Sequence, residues 1–132
     1  MGVLWRLAEF TLYFGTGVGL VVLYLFLYTL ATAHNEFALI RQNVTAAALA
    51  LGLSLVGFAL PLSSAIVRAQ TLLDAILWGL VAIAVQIVVY WLVRLAIPNL
   101  SRRIATGEIA AALFLGAASL SAGVINAAAM TL

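Results

Sequence analysis

The chain contains no cysteine and no lysine, and only one histidine and two prolines in 132 residues. Without cysteine, disulfide staples, thiol nucleophiles and thiolate metal sites are excluded. Charge is equally scarce: Asp, Glu, Lys and Arg make up 8% of the residues, against roughly 25% in an average soluble domain. The net charge of +2 rests on scattered arginines with no basic stripe interleaved with aromatics, so no nucleic-acid-binding footprint is present.

Apolar side chains take the place of the missing ones. Hydrophobic residues make up 67% of the chain, and its mean hydropathy is +1.25. A soluble domain of this length has too little interior to hide that surface, so the composition reads as an integral membrane protein. Little chain is left over for anything else, and residues 1–132 are expected to form one transmembrane domain.

Four long apolar stretches define an all-α membrane fold: residues 10–33, 43–66, 72–97 and 108–131. Each holds about 24 residues, which at about 1.5 Å per residue crosses a hydrocarbon core of about 30 Å with some tilt. Ala31-Thr32-Ala33 has the small-residue pattern of a signal-peptide cleavage site, but the apolar run before it exceeds the usual roughly 7–15 residues, so it reads as a span. Residues 1–9 are expected to be a short interfacial lead-in with Trp5 at headgroup depth.

The breaks between spans carry start and stop chemistry. Pro98 lacks a backbone donor and biases Ile97 away from the helical region, ending the third span. Thr71 followed by Asp74 reads as a capping box opening it. Thr106 is placed to cap the fourth span, with Glu108 in its first turn at the positive end of the helix dipole. Pro61 falls within the last turns of the second span, where Ser63 and Ser64 can satisfy carbonyls that it frees. Trp78 and Trp91 suit opposite aromatic belts, and Arg94 can snorkel from the last turn of its helix.

Arginine placement gives an orientation. Arg6 and Arg68 lie on the side of the two termini and the second loop; Arg41, Arg94, Arg102 and Arg103 lie on the side of the first and third loops. Four against two places the first and third loops in the cytoplasm and both termini outside.

An internal echo organises the spans into pairs. At an offset of 64, residues 40–52 match residues 104–116 at seven of thirteen positions: one Ile, the run Ala-Ala-Ala-Leu, a Leu and a Gly. Gly15 and Gly79, and Val21 and Val85, stand at the same offset. This pattern predicts a duplicated two-helix hairpin, unit one over about residues 10–66 and unit two over about 72–131. Two helices per unit give both copies the same orientation, so the repeat is parallel, with its pseudo-axis along the membrane normal.

Within each unit the two spans differ. The first and third are bulky, with Tyr24 to Tyr28 in one and Ile87 to Trp91 in the other, and are expected to face lipid. The second and fourth are rich in small residues: Ala46, Ala50, Ser54 and Gly57 in one; Gly116, Ser119, Gly123 and Ala127 in the other, with Ala118, Ala122 and Asn126 on a further stripe. Helices in lipid associate through close backbone approach, so these are the expected packing faces, within or between subunits. Gly15-Thr16-Gly17-Val18-Gly19 in the first span lacks phosphate-loop spacing and reads as a packing groove.

Residues with chemical potential are few. His34 and Glu36 stand two apart, on different sides of a helix, and do not make a metal site. Asn43-Val44-Thr45 matches a glycosylation acceptor but reads as helix-start chemistry. Gln86 lies mid-membrane, where an amide needs a partner; it and Asn126 serve as interhelical hydrogen-bonding groups or line a permeation path. Glu9, Asp74 and Glu108 all sit near interfaces, unlike the buried acid of a proton-coupled carrier. No nucleophile–base–orienter set is present, so no catalytic, cofactor or metal residues are assigned and the chain is read as non-enzymatic.

An ordered series of residues spans nearly the whole chain: His34-Asn35-Glu36 with Leu39-Ile40, Thr45-Ala46-Ala47, then Gly57-Phe58-Ala59-Leu60-Pro61-Leu62-Ser63-Ser64-Ala65. It continues with Asp74, Trp78-Gly79, Gln86, Arg94, Pro98 and the closing Asn126-Ala127-Ala128 with Met130-Thr131. In this series the chain resembles the YjfL-like bacterial inner-membrane family, domain of unknown function 350. It departs from the family at Ala129, where relatives can carry Cys, and at Gln42-Asn43, where Gly-Asn is frequent. The resemblance implies a four-helix inner-membrane protein of duplicated hairpins. It also implies a setting, near phage-shock-protein-A-like membrane-remodelling proteins and ATP-grasp peptide ligases. The expectation is therefore a homo-oligomeric anchor or channel-like component of an envelope-stress or membrane-maintenance system. The alternative is a small transporter or ion-conducting channel whose path is lined by Gln86 and Asn126.

Overall fold

The computed structural model describes residues 2–32 and 36–131, with the side chain of Glu36 outside the described set. Six helices follow one another: α1 (Gly2–Ala31), α2 (Glu36–Arg41), α3 (Thr45–Arg68), α4 (Leu72–Ala96), α5 (Leu100–Ala105) and α6 (Ile109–Met130). Four of them, α1, α3, α4 and α6, are long and apolar enough to cross a membrane. The fold is all-helical, as the periodic apolar stretches required.

α1 begins earlier than its apolar run. It is continuous from Gly2, so from residue 2 onward the expected lead-in is part of the span's helix; Trp5 lies on it and is exposed. No proline or capping residue separates Leu4-Trp5-Arg6-Leu7-Ala8 from the span, and these residues simply propagate the helix. At 30 residues α1 is about 45 Å long.

The ends of α4 follow local chemistry. The Thr71 hydroxyl accepts from the Asp74 backbone N–H at 3.2 Å, and the Asp74 carboxylate accepts from the Gln70 N–H at 3.4 Å. At the other end Ile97 turns extended (φ −117°, ψ 107°) before Pro98, as the proline's steric demand requires.

The first and third breaks each hold a short helix that the sequence pattern does not announce. α2 and α5 have the same length, and their boundaries, 36 to 41 and 100 to 105, stand 64 residues apart. So do the starts of α3 and α6, at 45 and 109. Between short and long helix, the chain reverses through a left-handed residue at the same offset: Asn43 (φ 65°) and Gly107 (φ 91°). Asn43 itself supplies the unusual φ, and Gln42 does not. Thr106 closes α5 instead of capping α6, its hydroxyl donating to the Arg103 carbonyl at 3.0 Å. The N-cap of α6 is Glu108, whose carboxylate pairs with the Arg103 Nε at 3.0 Å. The apolar residues Leu100 and Ile104, one turn apart, are fully buried and dock α5 on the bundle.

α3 and α6 form the most extensive contact of the fold, and α4 touches α1, α3 and α6. Paired positions on α3 and α6 rise together, Gly116 on Leu53, Gly123 on Gly57 and Thr131 on Arg68, so these two helices run parallel. α1 is the least embedded: only Gly17, Leu20, Tyr24 and Tyr28 are buried. One stripe of its C-terminal half therefore faces protein while Val22, Phe26 and Leu30 stay exposed, so the expectation that the bulky helices face lipid holds for only part of α1. Tyr90, Ala82, Ile83 and Gln86 of α4 are buried in the same way. Leu20, Tyr24 and Tyr28 share one helical stripe, and a run of bulky residues conceals that stripe because its outer members are bulky too.

Candidate functional site

The centre of the bundle is a seam of small residues bordered by a ring of hydroxyls. Of the stripes read from the sequence, Ala46, Ala50, Ser54 and Gly57 of α3 and Gly116, Ser119 and Gly123 of α6 are buried. Ala127, Ala118, Ala122 and Asn126 are half-buried. Both stripes are consumed within one chain, against each other.

At Gly57 and Gly123 the backbones touch. A Cβ built on Gly123 would lie 2.0 Å from the Gly57 carbonyl oxygen, and one on Gly57 would lie 2.4 Å from the Ser119 carbonyl oxygen. Pro61 explains why this carbonyl is available. It stands four residues after Gly57 and has no N–H, so the Gly57 oxygen has no intrahelical donor. That oxygen turns to the Gly123 Cα across the seam, the geometry of a Cα–H···O contact between helices. Ser63 and Ser64 do not take it. Two turns earlier on α6, Gly116 admits the Leu53 side chain, whose Cδ1 would be 2.4 Å from an added Cβ.

Polar groups meet beside the seam. Ser54 Oγ is 3.2 Å from Ser119 Oγ and 3.4 Å from the Tyr28 hydroxyl, and the Tyr24 hydroxyl donates to the Ser54 carbonyl at 3.4 Å. Gln86 Nε2 donates to the Ser119 carbonyl at 3.0 Å. These bonds join α1, α3, α4 and α6 at one level. The aromatic rings pack around them, Tyr24 stacked on Phe58 at 4.6 Å between centroids and Tyr28 edge-on to Tyr90 at 5.9 Å. Toward α5 a second cluster follows: the Tyr90 hydroxyl donates to the Thr32 carbonyl at 3.2 Å, and Ser101 Oγ bonds both groups.

Ser54, Ser119 and Gln86 are essentially fully buried, yet two amide atoms carry no hydrogen bond from the described residues: Gln86 Oε1 and Asn126 Nδ2. Gln86 thus lies against the α6 backbone at the seam, whereas Asn126 stands one turn beyond Gly123, and no bond joins the two. The tyrosines that complete the cluster were not singled out in the sequence; their signal was the i, i+4 spacing of Tyr24 and Tyr28 on the stripe of Leu20.

Charged groups lie at the two ends of the bundle. Arg68 donates to the Thr131 carbonyl at 2.8 Å, next to a small cavity of about 200 Å³ lined by Ser64, Asp74 and Trp78 among others. Arg94 and Arg102 are exposed at the opposite end. Among the described residues no group of three or more His, Asp or Glu side chains is placed to hold a metal ion. The His34–Glu36 pairing lies outside the described residues.

Comparison with known proteins places the whole chain. A family model described as Domain of Unknown Function (DUF350) matches residues 2–130. The UPF0719 inner membrane protein YjfL of Escherichia coli (strain K12) is 44% identical over 131 residues, covering 99% of both chains. The protein of the same name from Escherichia coli O157:H7 matches to the same extent. No solved structure matches the chain.

Proposed function

The chain belongs to the DUF350 family of membrane proteins, and from that membership we propose that it is a non-enzymatic inner-membrane anchor that assembles into homo-oligomers. As a polytopic membrane protein it has 101 of its 132 residues in the four spans. One observation carries the oligomer. Gly15 and Gly19 stand one turn apart on α1, with no other atom within 4 Å of the position a Cβ would take. They face away from the stripe of Gly17, Leu20, Tyr24 and Tyr28 that meets the bundle. Small-xxx-small faces are what bring helices together in lipid, and this one is unused within the chain.

The role in an envelope-stress or membrane-maintenance system rests on the family resemblance. Arg41, Arg102 and Arg103, together with Arg94, form the more basic end of the bundle. Facing the cytoplasm, that end offers a docking surface to a peripheral, phage-shock-protein-A-like partner. Affinity capture from native membranes tests this: retention of such a protein by wild type, and its loss on replacing Arg102 and Arg103 with Gln, is expected. Capture that does not depend on those arginines would contradict it.

The second reading, an ion or solute path lined by Gln86 and Asn126, is favoured by their unpartnered buried amide atoms. Against it stands the closure of the α3–α6 seam by direct backbone contact at Gly57 and Gly123, so a path would have to lie between subunits. Liposome flux decides between the two: the anchor reading expects wild type to match empty vesicles. Flux that falls in Gln86→Leu would establish a path.

A further inference from the structure

We propose that the groove between α1 and α3 is a binding site for one phospholipid whose headgroup carries a primary amine. Two ridges with i, i+4 spacing bound it: Phe14, Val18 and Val22 on α1, and Ala59, Ser63 and Val67 on α3. Its floor is low because Gly17 has no side chain; a Cβ there would already stand 3.3 Å from Ile66 Cδ1. The resulting cavity is about 420 Å³, almost wholly apolar and open along its length to the lipid side. From Phe14 to Val22 the ridge runs about 12 Å along the helix.

The groove does not end blindly. Ile66 also lines a second cavity of about 490 Å³, walled by Glu9, Tyr13 and Gln70 at the level of the α3–α4 connection. An apolar slot thus adjoins a pocket of mixed polarity at interface depth, the arrangement of an acyl chain below a headgroup. Among the described residues Glu9 is the one charged side chain lining that pocket. A carboxylate there attracts an ammonium with N–H donors, offers less to a quaternary amine, and repels a headgroup of net negative charge. Tyr13 and Gln70 supply donors for the phosphate ester beside it.

A second protein helix is the rival occupant, and the ridges argue against it. Helices in lipid pack through small residues that let backbones approach; the α3 ridge offers Ala59 and Ser63, but the α1 ridge facing it is all Phe and Val and holds a second backbone off. A flexible methylene chain needs only dispersion contacts along the slot, which these side chains provide. Gly15 and Gly19 lie just beyond the Val18–Val22 ridge around α1, so a neighbouring subunit seated on them would adjoin the lipid and would not fill the groove.

The test is native mass spectrometry of delipidated full-length protein with phosphatidylethanolamine, phosphatidylcholine or phosphatidylglycerol of identical chains. Phosphatidylethanolamine is expected to bind about three- to fivefold more tightly than the other two, the scale of one half-exposed ion pair. Glu9→Gln is expected to erase that preference. Ala59→Phe, at an exposed position away from the buried seam, is expected to remove retained lipid of every kind while thermal unfolding stays unchanged. Equal retention of the three lipids, preference for phosphatidylglycerol, or undiminished retention by folded Ala59→Phe would each overturn the proposal. So would a change in oligomer size in Ala59→Phe without a change in bound lipid.

Discussion

Gly57, Pro61 and Gly123 act as one device. The proline releases a carbonyl, the glycine that bears it can approach a neighbouring helix, and the opposing glycine gives the oxygen room. In lipid, where apolar burial between helices contributes little, such backbone contact and the dispersion around it are what hold the pair. A methyl group on Gly123 would collide with a backbone oxygen, which cannot swing aside as a side chain does. Gly123→Ala should therefore destabilise the bundle by about 1–3 kcal/mol, measured by thermal or chemical unfolding in detergent. Gly52→Ala adds its methyl in open space, away from both the seam and the outer face of α1, and should stay within about 0.5 kcal/mol of wild type in the same assay. Equal effects at the two positions would contradict the assignment of the seam.

At the scale of elements, the connectors decide how one span follows another. Asn43 and Asn99 both hold left-handed backbone, at φ 65° and 59°, and each directs the chain at one end of a short helix. Asparagine tolerates that region and valine does not, so Asn43→Val and Asn99→Val should each cost about 1–2 kcal/mol in an unfolding assay. Glycine at either position should preserve stability; a valine as good as asparagine would show the turns to be elsewhere. The same connectors mark what sequence reading could reach. The four spans, the Thr71 cap and the Pro98 stop were legible because hydropathy, capping chemistry and proline sterics are local. α2 and α5 were not, because six residues are too few to display a period and their burial is decided by the bundle beneath. Thr106 has the chemistry of a helix start, and only the short helix before it makes it an end. The boundaries of α2 and α5 and the starts of α3 and α6 stand 64 residues apart, the same offset as the echo in the sequence. The stripes at Ala46–Gly57 and Gly116–Gly123 were legible as packing faces. Which surface they met was not, since small residues look alike whether they face their own chain or another. Tyr24, Tyr28 and Tyr90 were hidden by a similar ambiguity, bulky side chains being at home in both lipid and core.

For the molecule as a whole, the four spans leave two ends of unequal charge and one helix that is half uncovered. With four arginines at the end of the first and third loops and two at the other, the first and third loops should face the cytoplasm. The absence of cysteine makes this easy to map. A single cysteine at Gln70 should react with a membrane-impermeant maleimide added outside intact spheroplasts, and one at Thr106 only after lysis. The reverse pattern would invert the topology and remove the basic end from the cytoplasmic side. The uncovered half of α1, with Gly15 and Gly19 on its outer face, is where one copy can meet another. The deciding measurement is the subunit count of the full-length protein in lipid nanodiscs, by native mass spectrometry, for wild type and for Gly15→Leu with Gly19→Leu. A defined oligomer that becomes a folded monomer in the double variant is the expected result. A wild-type protein that is strictly monomeric in lipid would contradict the oligomeric anchor.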